Sequence, residues 1–461
     1  LSQTQTKSAL WADRLSVWQG YLLVLFAAFM PVSITALWVC LIAGIVLWIS
    51  ISLLVWKSGS FEVPVNKTVS PAAWLGARFF SIAGLSGAQF LVPLLVFAVA
   101  VFASGFAVGL NEKAVQSPFQ HALQVGFNSL FTLQTFLVYP WAYQAFKRAP
   151  QFAGKSLAAA FLVATLSCLY TLVEPKVVAQ LTGRAPHYLQ ATGFLEQPMA
   201  FAGQLQVFLM LALALLLAGG YKKLPLFFQK QSTAIAIVLC LILGLVLASE
   251  RSAWLGAIFG VIVVGSRISR KVFLSSIIGL VLVGGLSYGF VPFVQNRVNM
   301  AFSGSDKSFA ARVDIYKHAL EAFKKDPIFG CGVKRFPKLH ADTAMPDKGY
   351  FDHAHSNYLH ILATTGVIGL AAYIYLLAVI LRTTVRLSAP SLSLAKEFDA
   401  AQTAQFSQSI ALGLLAATAA LCVSGLFEYN FGTGHVRLTY FFALAFLAVA
   451  AGFDGSAESG S

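Results

Sequence analysis

Five polar residues crowd the entrance to one apolar stretch. In FDHAHSNYLHILATTGVIGLAAY, which begins at Phe351, the residues Asp352, His353, His355, Asn357 and His360 fall within nine consecutive positions. Three of the chain's eight histidines are therefore gathered where a hydrophobic run starts. Imidazole changes charge near neutral pH, so a general base is the chemistry such a cluster suggests. Two other readings stay open. Zinc could be held by Asp352, His353, His355 and His360, although the spacing is not that of a helical HExxH motif and no cysteine or glutamate cluster joins it. The residues could also be ordinary interfacial polar groups. On a helix, His353 and His355 would face different ways. They are better placed in an extended lead-in, with Ser356 or Asn357 capping the following helix and His360 one turn inside it.

Arginines form the second set. In LVLASERSAWLG, Glu250 and Arg251 interrupt two apolar runs, where charge is costly unless paired or hydrated. A simple Glu250–Arg251 pair is the plain alternative to a functional role. Arg184 stands in LTGRAPHYLQATG, in a tight turn set by Gly183 and Pro186. Arg312 opens ARVDIYKHALEAFKKDPIFGCG, whose Val313, Tyr316, Leu320 and Phe323 have the three- and four-residue spacing of an amphipathic helix. Asp326-Pro327 should end that helix, and Gly330-Cys331-Gly332 should make the next turn. The planar guanidinium fork suits phosphate oxygens, so arginines around a histidine suggest a site that grips an anionic lipid headgroup. LFEYNFGTGHVRLTY adds Glu428, His435 and Arg437, among aromatics that also suit a membrane interface.

The elements that must carry these groups are membrane spans. Over 461 residues the chain is 58% hydrophobic and 11% charged, against about 25% charged in soluble domains. Runs of roughly 20 apolar residues recur throughout. Only helices or closed barrels satisfy their backbone in lipid. The expectation is an all-α polytopic integral membrane protein of about 12 transmembrane helices, with a large, partly helical periplasmic loop. The spans are read at 17–33, 35–56, 86–108, 122–146, 156–173, 198–219, 232–249, 252–266, 272–293, 357–381, 408–426 and 438–453. Residues 1–293 then hold helices one to nine, 294–356 the large loop with part of the site, and 357–453 the last three helices. The linker-like tail 454–461 is set aside.

SPAAWLGARFFSIAG is amphipathic enough to lie along the interface. Basic connectors at 57–71, 147–155, 220–231, 267–271 and 382–407 alternate with basic-poor ones. By the positive-inside rule both termini are cytoplasmic and the site is periplasmic. The polar N-terminus leads into a span expected to be retained. The formal charge of +14 lies between spans, so it does not indicate nucleic acid. The 294–356 loop holds ten bases against seven acids, a small surplus facing outward. Four of the five cysteines lie in apolar runs, which indicates no disulfide framework.

DPIFGCG followed by HAHSNYLHILATTGVIGL, in a large loop late in a chain of about twelve spans, resembles the O-antigen ligase and polymerase superfamily. The likeness is specific from Arg312 to Leu370 and rests on topology elsewhere. SERSAWLG and GFLEQPMAFAGQL are similar to the family's upstream motifs, and Ser356 stands where asparagine is more usual. The resemblance implies a GT-C-like glycosyltransferase architecture. It also implies inverting, metal-independent transfer, without a cofactor, from an undecaprenyl-diphosphate-linked glycan to a sugar hydroxyl of lipid A–core at the bacterial inner membrane. His355 is then the catalytic base, and Arg184, Arg251 and Arg312 bind the diphosphate. His353, His360 and Glu428 support them, and no residue is a metal ligand. A polymerase or a protein O-oligosaccharyltransferase of the same superfamily is the nearest alternative, and a lipid-linked sugar transporter or flippase is the alternative of another class.

Overall fold

The computed structural model describes residues 3–58, 89–112, 117–181, 190–302, 307–337, 352–389 and 398–447. The expected interfacial segment SPAAWLGARFFSIAG, the tail 454–461 and Arg184 lie outside them. The described residues are helical and contain no strand. In chain order the helices are α1 (Gln3–Phe29), α2 (Ile34–Ser58), α3 (Leu91–Leu110), α4 (Pro118–Leu130), α5 (Val138–Arg148), α6 (Gln151–Tyr170), α7 (Pro175–Leu181) and α8 (Pro198–Ala218). After these come α9 (Gln231–Ala248), α10 (Arg251–Ile268), α11 (Arg270–Phe290), α12 (Pro292–Phe302), α13 (Lys307–Lys325), α14 (Asn357–Leu387), α15 (Phe398–Ser424) and α16 (Gly434–Ala445).

Nine helices among the described residues are long and apolar enough to cross a membrane. Three of the expected spans take another form. The 17–33 span is the second half of α1, whose first half carries Lys7, Asp13 and Arg14. The 122–146 span is broken into α4 and α5 by a 3-10 segment, Phe131–Leu137. Pro140 has no N–H to return to Phe136, so the regular ladder cannot run through this point. The last span appears as α16, and the description stops at residue 447.

At the centre lies α8, buried over most of its length and packed by α9, α10, α15 and α16. Its two glutamines are used as ties. Gln204 Nε2 donates to Met30 O and to Thr439 Oγ1, each at 2.8 Å. Gln206 Nε2 donates to Ala253 O at 2.9 Å. Gly256 permits this approach, because a Cβ there would lie 2.1 Å from Gln206 Nε2 and 2.4 Å from Ala420 O.

The loop helix α13 ends at Lys325, and DPIFGCG turns as expected. Its buried stripe is not the expected one, however. Ile315, Ala319 and Ala322 are inside, packed with Cys331, Phe336, Ala354 and Ala363. Val313 and Leu320 are exposed. Small alanines let the helix backbone approach the turn and the histidine lead-in, and Arg312 shares this face by its i, i+3, i+7 spacing.

The DPIFGCG turn docks into a break in α14. Gly366 sits at φ 64 and ψ −166, so the helix is two pieces meeting there. The N–H groups of Cys331 and Gly332 donate to Ala363 O and Thr364 O, and Val367 N–H donates to Pro327 O, all at 2.9 Å. Ser104 Oγ donates to Phe329 O (2.5 Å) and Thr364 O (3.0 Å). Carbonyls freed by the break thus find donors, which a backbone at membrane depth requires. A Cβ on Gly366 would lie 2.1 Å from Ile328 O. Gly366→Ala should therefore destabilise the protein by at least the roughly 1–3 kcal/mol of a strained backbone, read as a lowered melting temperature in detergent. Gly279→Ala, with nothing within 4 Å of the new methyl, should leave melting unchanged or slightly raised.

Candidate active site

The lead-in Asp352–Ser356 presents the histidines. Ser356 is the cap, its Oγ accepting the Leu359 N–H at 3.4 Å. The lead-in is not extended throughout: His355 is left-handed at φ 43. Ser249, just before Glu250-Arg251, is left-handed too, at φ 56. Such strain in non-glycine residues costs about 1–3 kcal/mol each and clusters at functional sites. Here the surroundings impose it. Tyr316 OH from α13 donates to His355 O at 3.3 Å, and Asn357 N–H donates to Gly425 O at 2.8 Å.

The three histidines do different work. His353 Nδ1 accepts the His355 N–H at 3.3 Å, and His360 Nδ1 accepts the Ala354 N–H at 3.3 Å. The His360 ring lies 4.0 Å from Tyr429 and 5.1 Å from Phe336, centre to centre. Two imidazoles thus hold the backbone of the lead-in. His355 instead turns Nδ1 to the Glu428 carboxylate, 3.2 Å and 3.3 Å from its two oxygens.

Glu428 follows α15 and is buried, 4% exposed. It also accepts the Tyr429 N–H at 2.9 Å and the Arg312 Nη2 at 3.3 Å. Burial alone would raise its pKa, but the His355 hydrogen bond and the charges of His355, His353 and Arg312 together bring it below the usual carboxylate range. An ionised carboxylate only accepts, so Nδ1 of His355 carries the proton and Nε2 is left as the base. The Nε of Arg312 is buried and makes no hydrogen bond.

Arg251 opens α10, and a chain of bonds joins that helix to the histidine helix. Asn357 Nδ2 donates to Asn430 Oδ1 (2.7 Å), and Asn430 Nδ2 donates to Ser424 Oγ (2.6 Å). Ser424 Oγ donates to Gln206 Oε1 (3.1 Å), whose Nε2 reaches Ala253 O, two residues beyond Arg251. A cavity lined by Gln206, Glu250, Ser252, Ser424, Glu428 and Asn430 lies along this chain. The expected Glu250–Arg251 pair is not what engages Glu250. Its carboxylate accepts from Gln190 Nε2 at 2.8 Å and shares the cavity with Glu428.

Sequence reasoning treated Arg297 only as one base of the loop. It lies on α12, close enough to act electrostatically on Glu250. Tyr316, expected as part of an apolar stripe, supplies a hydroxyl to the lead-in. Neither has a short-range signal, because each partner is remote in the chain.

The nitrogens of His353 and His355 and a Glu428 oxygen come within 4.8 Å of one another, a spacing that a metal ion could bridge. Asp352 is exposed, and His360 Nδ1 is already engaged, so the four-residue zinc set does not assemble. A cation on Glu428 would compete with Arg312 for the same carboxylate.

These features define an all-helical polytopic membrane protein with a histidine–carboxylate–arginine cluster at the converging ends of several helices. Residues 236–374 match the family model of O-antigen ligases, which supports membership of the O-antigen ligase superfamily. The match takes in Glu250, Arg251, Arg297, Arg312 and the three histidines, while Glu428 lies beyond it. No curated protein matches the chain.

Burial first, and then the neighbouring His355, lower the pKa of His353 to about 4. The unfolded chain, with a value of about 6.5, binds a proton that the folded site refuses. Stability should be fully present above pH 6.5 and fall as pH drops towards about 4. Melting scans should show a shallower acid loss in His353→Asn than in the parent.

Proposed function

We propose that the chain is an inverting glycosyltransferase. It moves a glycan from undecaprenyl diphosphate to a sugar hydroxyl of lipid A–core on the periplasmic face of the bacterial inner membrane, the O-antigen ligase reaction of lipopolysaccharide biosynthesis. The observation that carries this reading is the pairing of His355 Nδ1 with a buried carboxylate. The pairing leaves Nε2 as the basic ring nitrogen, with the Arg312 guanidinium on the same carboxylate, in a chain whose residues 236–374 match the O-antigen ligase family model.

The acceptor O–H gives its proton to His355 Nε2 as its oxygen attacks the anomeric carbon. The bond from that carbon to the diphosphate oxygen breaks on the opposite side, and the electron pair leaves with the lipid diphosphate. The new glycosidic bond therefore has inverted configuration. Glu428 holds the imidazole and stabilises the imidazolium that forms, as the carboxylate of a serine-protease triad does. Arg312, Arg251 and Arg184 carry the growing charge of the leaving group, the role a divalent ion otherwise takes. His353 and His360 orient the base through the backbone they hold. No metal takes part, and both termini lie in the cytoplasm.

The small basic surplus of the 294–356 loop favours a phosphorylated acceptor such as lipid A–core over another lipid-linked repeat. Offering purified protein one acceptor at a time separates ligase from polymerase and from protein glycosylation. Release of undecaprenyl diphosphate separates any of these from a flippase.

His355→Ala should lower single-turnover transfer by about 10²–10⁴-fold, and Arg251→Ala should cost on the order of 10²–10³-fold, in protein that still folds. Glu428→Gln should also fall steeply, because the amide no longer fixes the tautomer. Transfer should survive a chelator. Full activity in His355→Ala would remove the base assignment.

A further inference from the structure

Two carboxylates face one cavity, and the reaction above uses only one. Glu250 precedes α10 as its N-cap, yet its side chain makes no capping bond. It reaches across to Gln190 instead. The residue as a whole is partly exposed, but its carboxyl is enclosed. The groups that face it are Gln190 from the segment before α8, Glu428 from the loop after α15, Arg297 from α12 and Arg312 from α13. Like charges in such a space repel, and the arginines are what permit both to ionise.

The two carboxylates are not held equally. Glu428 accepts from an imidazole, a guanidinium and a backbone N–H. Glu250 accepts from a neutral amide. Confinement and then the nearby Glu428 push its pKa up to about 7, against the pull of Arg297, Arg312 and the Gln190 hydrogen bond. When an anion comes to these arginines, Glu428 stays fixed by His355 and Tyr429, so Glu250 is the one that must yield.

We propose that Glu250 and Glu428 stand in for the donor's diphosphate when no donor is bound, and that donor binding takes the arginines over and drives Glu250 to its neutral acid, so that binding takes up a proton. This rests on the reading of the site as a diphosphate site. The negative donor raises the proton affinity of Glu250, so the complex holds more protons than the free protein near and above neutrality. Donor affinity should then fall as pH rises. The neutral acid also removes a negative charge that would repel the departing diphosphate.

The test is titration calorimetry of the full-length protein in detergent with undecaprenyl-diphosphate-linked N-acetylglucosamine and no acceptor. This probe is a diphosphate diester, without its own proton exchange near neutral pH. At about pH 7.5, heats in two buffers of different ionisation enthalpy should show uptake of a fraction of a proton by the wild type, and its affinity should weaken by up to roughly tenfold per pH unit above neutrality. Glu250→Gln should show no uptake and a flat profile. Infrared difference spectra of the wild type alone should show a protonated-carboxyl stretch appearing when donor is added, which keeps the test independent of how the variant folds. Equal uptake in both proteins, no uptake in the wild type, or no new carboxyl stretch overturns the proposal. Failure of the lipid diphosphate to bind either protein overturns the diphosphate reading as well. Retained transfer by His355→Ala removes only the base and leaves the proton linkage standing.

Discussion

The carboxylate of Glu428 is the group that the rest of the site depends on. It lies almost out of contact with solvent and answers to an imidazole, a guanidinium and a backbone N–H at once. Removing a charge from water is costly unless it is paired and hydrogen-bonded. Glu428 meets that condition only because three separate segments converge on it: the lead-in to α14, the first turns of α13, and its own loop after α15. Shifting any of them leaves a buried charge short of partners. The pairing also decides chemistry, since it sets which nitrogen of His355 carries the proton.

Convergence of that kind needs stiff supports, and the chain makes them from irregular backbone. A helix broken at Gly366 would expose carbonyls, yet the break admits a turn whose N–H groups occupy them. The upper piece of α14, which carries His360 and the Ser356 cap, is thereby locked to the turn that follows α13. Through the buried face of Ile315, Ala319 and Ala322, the same turn positions Arg312. The left-handed residues Ser249 and His355 end the segments leading to Arg251 and to the cap. Their strain persists because each is fixed on both sides.

Much of this was legible in the sequence. Apolar run length placed the principal spans, and punctuation by proline and glycine placed the end of α13 and its turn. The polar doorstep of α14 was visible as an oddity of composition. Other features were not readable, and for one reason: they depend on contacts far apart in the chain. Glu428 was counted among the supporting residues, but it stands 73 residues from His355, so their pairing has no short-range signal. Hydrophobicity favoured Val313 and Leu320 for the buried stripe, whereas close backbone approach selected alanines. The resemblance singled out His355 from His353 and His360, but that two of the three imidazoles accept backbone N–H groups of the lead-in could not be read from spacing. The partner of Glu250 was equally out of reach, since Gln190 is 60 positions away.

The placement of polar groups along the bundle bears on what the molecule does with its substrate. A carrier that passed a charged headgroup through the membrane would need ionisable or hydrated groups along that route. Within the described spans several buried amides and hydroxyls tie helices by engaging one another or carbonyls, whereas the amides of Gln19 and Gln144 are buried without a hydrogen bond. The chain from Asn357 through Asn430, Ser424 and Gln206 to Ala253 is the clearest case. It ties the helix of Arg251 to the helix of His355 and leaves the amides little capacity for a passing solute. Charge is concentrated instead where the helices end, around a base and its counter-ion. On the proposed reading, a polyprenyl tail stays in lipid while its diphosphate meets that end, so an interior route is not required. An arrangement that braces its core and collects its ionisable groups at one rim is built for a reaction at a surface.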